Sequence, residues 1–177
     1  MMGDTKEAPA APGLSVDILI EDEAWHAVNG LEDLTRSGLL AALAVAGLSY
    51  REAEVCVLFT DDEEVRRLNA EFRGKDKPTN VLSFPAGGGP QVADAPVMLG
   101  DIVLARSVVE KEALQQGKPL ANHLTHLIVH GMLHLAGFDH EQDDEAETME
   151  ALEIEALARL GLPNPYGHDR VMAVPEH

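Results

Sequence analysis

From Pro119 to Ala136 the chain follows a helical pattern. Leu127, Ile128, Val129, Met132 and Leu133 fill the positions between its histidines. So apolar a helix has to be surrounded by other elements, so the pattern predicts a central helix. It carries His130 and His134, whose four-residue spacing puts both imidazoles on one face, one turn apart. Gly137 follows, the residue that most readily takes the left-handed conformation ending a helix, and it lets the chain bring His140 back toward the pair. Three neutral imidazoles converging, with a fourth position open, form the arrangement of a catalytic zinc site. Single helical histidines are usually hydrogen-bonded or partly exposed, and pairs four apart recur by chance. A triple with a glycine hinge before its third member is much rarer.

His126 and His123 share the broad histidine face. Replacing His140 by His126 would spread three ligands over about 12 Å of straight helix, too far to converge on one ion. His126 is therefore expected to support a ligand or the helix, and His123 to lie at the surface.

The chain has 177 residues, enough for one domain, and its 45% hydrophobic content can fill a core built mostly of aliphatic side chains, since aromatics make up only 4%. Cys56 is the lone cysteine, which excludes an internal disulfide and a cysteine-based zinc cluster; its apolar neighbours predict a buried small hydrophobe. No apolar stretch reaches membrane-spanning length and no signal-peptide pattern opens the chain, so a cytoplasmic protein without membrane contact is expected. The net charge of −18 argues against nucleic acid, yet Arg66, Arg67, Arg73, Lys75 and Lys77 gather five of the 13 cations in one short segment. Glu63, Glu64 and Glu71 account for Arg66 and Arg67 as helix-face ion pairs; they account less well for the other three.

Residues 1–13 read as a disordered N-terminal extension, 14–162 as a single domain and 163–177 as a C-terminal tail. Strands are expected at Leu14–Ile20, Glu54–Phe59, Asn80–Phe84 and Val97–Ala105. Ala24 to Ala46 has helical periodicity with a break near Gly30 or Gly38. Thr60-Asp61-Asp62-Glu63 reads as a capping box opening a helix from Asp61 to about Phe72. Further helices are expected at Ser107–Gln116 and Asp143–Leu160. The fold class is α+β: a small mixed four-stranded sheet packed with about five helices, the metal site on a central one.

The spacing from His130 to His140 overlays the zinc signature of metzincin proteases, with one departure. Those enzymes place a glutamate base directly after the first histidine; here stands Gly131, which cannot move a proton. Asp139 could take over as base or orient a ligand imidazole. A phosphodiester needs no carboxylate base nearby, because a metal and a guanidinium can stabilise the charge gathering on its oxygens. Arg73, at the end of its helix, is the arginine so placed, unless it merely meets that helix's last carbonyls.

Two segments make the chain resemble the YbeY family of bacterial endoribonucleases. His130-Gly131-Met132-Leu133-His134-Leu135-Ala136-Gly137-Phe138-Asp139-His140 is close to the family's His-Gly-x-Leu-His-Leu-x-Gly-(Tyr/Phe)-Asp-His signature. Leu68 to Pro85, with Arg73-Gly74-Lys75-Asp76-Lys77-Pro78-Thr79-Asn80-Val81-Leu82-Ser83-Phe84-Pro85 at its centre, is similar to the second family block. The resemblance implies one Zn2+ held by His130, His134 and His140, and Arg73 as the catalytic or RNA-contacting arginine. It implies single-strand-specific RNA cleavage in maturation of the 3′ end of 16S ribosomal RNA and in ribosome quality control. The partners implied are ribosomal RNA, the small ribosomal subunit, ribosomal protein S11 and the GTPase Era. Lys75 and Lys77 are expected to hold flanking phosphates and Ser83 to line the cleft, while Asp139 and His126 are expected behind the ligands. The alternatives are a zinc peptidase and a non-catalytic ribosome-assembly factor with a structural zinc.

Overall fold

The structure is a computed structural model and describes residues 13–48, 52–86, 97–138 and 143–166. The elements run β1 (Leu14–Ile20), a 3-10 turn (Glu23–Ala27), α1 (Leu31–Val45), β2 (Ala53–Thr60), α2 (Asp62–Arg73), β3 (Val81–Pro85), β4 (Val97–Ala105), α3 (Arg106–Gln116), α4 (Leu120–Leu135) and α5 (Asp143–Arg159). The sheet order is β1-β2-β4-β3. β1, β2 and β4 are parallel, and β3 returns antiparallel on the outer side of β4, with Ser83 opposite Ile102. This is the α+β arrangement expected: a mixed four-stranded sheet and, among the described residues, five α-helices.

β4 shows how the two layers are divided. Ile102 and Leu104 point into the large core shared with α1, α4 and α5, whereas Val103 and Ala105 belong to a small second core with Val65 of α2. α4 lies at the centre of the large core, with Leu124, Ile128, Val129, Met132 and Leu133 fully buried. Each such side chain contributes roughly 1.5–3 kcal/mol relative to leaving it in water.

The long helical pattern from Ala24 breaks at Gly30, whose φ of 68° needs a residue without a Cβ. Before it, Trp25 is buried in the 3-10 turn, its indole N–H donating to Thr60 O at 2.9 Å. Gly38 stays helical, and a Cβ there would meet Ile128 Cγ2 at 3.2 Å, so its bareness lets α1 approach α4.

Two local expectations need correction. The cap of α2 is Asp61, whose carboxylate accepts from Glu64 N at 2.9 Å; Thr60 stays in β2, paired with Ala105, and donates its hydroxyl to Glu21. Cys56 is only half-buried, because it alternates onto the less covered face of β2.

Candidate active site

α4 carries His130 and His134 to the same side, as their spacing requires, with ring centroids 4.6 Å apart. Both line a cavity of about 650 Å³ at the outer strand β3. The opposite wall comes from the end of α2 and the loop after it, through Asn69, Arg73, Lys75 and Lys77. The two segments singled out in the sequence thus face each other across one cleft. The described residues lining it include no carboxylate.

The histidine wall is held from behind by a residue that sequence reading missed. Glu153 of α5 is 1% exposed. One of its oxygens lies 2.6 Å from His130 Nδ1 and the other 2.8 Å from His126 Nε2, and the Tyr166 hydroxyl donates to the latter oxygen. Burial acts to raise its pKa, but the hydrogen bonds and charges of His126 and His130 outweigh it and hold the group at about 2. A carboxylate only accepts, so the bonded Nδ1 of His130 carries a proton. A signal was present: Glu153 shares the buried stripe of Met149, Ala156 and Leu157 on an otherwise acidic helix.

His126 therefore sits behind His130, joined to it through the same carboxylate. His123 is not at the surface: it is 4% exposed, with Nε2 2.8 Å from Glu112 Oε1. Burial lowers its pKa against the opposing pull of Glu112. The reason lies in α3, which packs beside α4 and brings a carboxylate over a position that the helix pattern alone left open. Glu112 also accepts from Asn80 Nδ2 at 3.0 Å, tying this pair to the start of β3.

Arg73 does not satisfy its own helix end. Gly74 N and Lys75 N bond back to the last carbonyls of α2, while Arg73 Nη2 donates to Ser83 O on β3 at 2.6 Å. The guanidinium also lies 5.5 Å over the Phe84 ring. Asn69, 3% exposed, donates to Lys77 O at 2.8 Å and shapes the loop that presents Lys75 and Lys77. Arg66 pairs with Glu63 and Asp76, and Arg67 with Glu64 and Glu71. Among the described residues Arg73, Lys75 and Lys77 have no carboxylate partner.

Ser83 lines the cleft but is 7% exposed, and its hydroxyl donates to Gly131 O at 3.3 Å. A Cβ at Gly131 would meet Ser83 Oγ and Ile102 Cγ2, both at 3.1 Å, so this position is packed shut against the sheet. α4 ends as expected, with Gly137 at φ 104°. His140 and Asp139 lie outside the described residues, and among those described no group of three His, Cys, Asp or Glu is placed to hold a metal ion. Of the expected tail, residues 163–166 are described, with Pro165 buried and Tyr166 on Glu153.

A family model described as endoribonuclease YbeY matches residues 19–161. The chain belongs to the YbeY family. It is 46% identical over 168 residues to the endoribonuclease YbeY of Nitrobacter hamburgensis, covering 93% of this chain and 87% of that one. To the endoribonuclease YbeY of Rhodopseudomonas palustris it is 49% identical over 162 residues, covering 89% and 95%. The solution structure of TM1509 from Thermotoga maritima is similar at a TM-score of 0.51 and 27% identity, over 82% of this chain and 91% of that one. The matched YbeY region contains both walls of the cleft and the Glu153 support behind them, and leaves Tyr166 beyond its end.

Proposed function

We propose that this chain is a zinc-dependent, single-strand-specific endoribonuclease. The observation that carries the reading is the placement of charge. In a protein of net charge −18, three cations without carboxylate partners face a histidine pair across a cavity whose described lining has no carboxylate. That is a site for a polyanion. The names of the relatives supply the same substrate class.

The residues present suit a zinc ion. His130 and His134 lie one turn apart, and a buried carboxylate fixes the tautomer of His130, as carboxylates behind ligand imidazoles do. With His140 as third ligand, the bound ion would act as a Lewis acid and lower the pKa of a water toward ~7. Arg73 spends one N–H on Ser83 O, which fixes the guanidinium at the cleft and leaves its other donors for phosphoryl oxygens. There it stabilises charge developing on the phosphodiester. Lys75 and Lys77 hold flanking phosphates, with Asn69 setting the loop that carries them. Ser83 acts by joining β3 to α4 through Gly131 O. Asp139 is assigned the orientation of a ligand imidazole. A peptidase base has no room at position 131.

Maturation of the 3′ end of 16S ribosomal RNA, ribosome quality control, and work with the small subunit, S11 and Era in the cytoplasm complete the proposal and rest on family resemblance. No described helix is long and apolar enough to cross a membrane.

The test is cleavage of labelled single-stranded RNA by wild type and Arg73→Ala, matched for zinc content. A loss of about a hundredfold or more, the usual effect of removing one charge-stabilising donor, is expected. Equal rates would point either to a contaminating nuclease or to a mechanism that does not use Arg73.

A further inference from the structure

Among the described residues Leu19, Phe72, Met98 and Leu114 are the exposed large hydrophobics. Exposure alone means little, since single apolar side chains are common on surfaces. Phe72 differs in its place. It is 61% exposed, aromatic, and adjacent in sequence to Arg73 on the last turn of α2. Its ring makes a T-shaped contact with Phe84, centroids 5.6 Å apart and planes at 64°. Phe84 is in turn covered by the Arg73 guanidinium. The ring thus rests against Phe84 while the residue stays mostly exposed, and it precedes Arg73, one of the three cations that lack carboxylate partners among the described residues.

We propose that Phe72 is a stacking subsite for a nucleobase of the RNA strand, next to the phosphate that Arg73 engages. This rests on the RNA reading above and adds to it the means by which single strands are preferred. A single strand can turn an unstacked base onto an aromatic face while its backbone follows a cationic track; a duplex keeps its bases stacked on each other. A ring that already rests against Phe84 has less freedom to lose on binding than an isolated one, which favours the contact. Closing the small core on α2 does not account for Phe72, because that role calls for a covered ring and this one is mostly uncovered.

The experiment uses the zinc-loaded full chain with wild type, Phe72→Leu and Phe72→Tyr. The substrates are a short single-stranded RNA carrying 2-aminopurine and the same RNA with abasic positions. Phe72→Leu is expected to raise KM by about tenfold, the size of one lost base–aromatic stack, with kcat changed far less. It should also abolish the quenching of 2-aminopurine on binding, and Phe72→Tyr should restore both. Wild type should lose a similar factor on abasic RNA, a result that depends on no variant folding. If wild type binds RNA but Phe72→Leu matches it in KM and quenching, or abasic RNA binds wild type as well as intact RNA, the stacking subsite is wrong while the RNA reading stands. If wild type neither binds nor cleaves RNA, both fall together.

Discussion

On the α4 side of the cleft, His130 is fixed by a carboxylate that is 1% exposed and is itself engaged by His126 and Tyr166. On the α2 side, Arg73 is anchored by one bond to a backbone carbonyl, and Lys75 and Lys77 stand in an exposed loop. The first wall is built on the main core; the second is mounted on the surface, and its three cations have no carboxylate partner among the described residues. The difference suits the two tasks proposed for these walls. Holding a metal ion requires donor atoms fixed to a fraction of an ångström. Holding a flexible polyanion requires charge and reach, and a solvated cation provides both at little conformational cost.

The strongest test of this contrast is Glu153→Gln. The amide keeps the shape but replaces an ionised acceptor, so zinc affinity should fall by about 10–100-fold while the zinc-loaded variant binds RNA as before. Competition with a chromophoric chelator reads the first, and anisotropy of labelled RNA the second. Undiminished zinc affinity would mean that the buried wall owes nothing to its carboxylate. Next in size is Gly131→Ala. The added methyl meets Ser83 Oγ and Ile102 Cγ2 at 3.1 Å, so overpacking should cost about 1–3 kcal/mol in denaturant unfolding. A neutral result would show that the α4 wall is softer than its packing implies. The smallest effect belongs to the exposed wall. Lys75→Ala and Lys77→Ala should each flatten the salt dependence of RNA binding by about 0.7 in log–log slope. Their folding stability should stay within about 0.5 kcal/mol of wild type. An unchanged slope would take these lysines off the phosphate track.

The same contrast explains what could be read from the sequence. His130, His134 and the end of α4 follow from spacing within one helix, and the order of strands and helices from local periodicity and caps. Arg73 stood out because it ends its helix and opens a loop with Lys75 and Lys77, where the helix-face glutamates account for it less well. Glu153 did not, because its partners His126 and His130 are 27 and 23 residues away and meet it only once α5 packs on α4. His123 was misplaced for a similar reason: Glu112 reaches it from another helix. The parallel register of β1, β2 and β4 is likewise set by contacts between distant segments, and no local pattern encodes it.

The bond from Arg73 to Ser83 O has a consequence for solubility. β3 is an outer strand, and an uncovered outer strand offers its carbonyls to any strand of a neighbouring molecule. The guanidinium occupies one of those carbonyls and places a positive charge where a second β3 would have to lie. The residue proposed to act on the phosphodiester thus also opposes edge-to-edge pairing at Ser83.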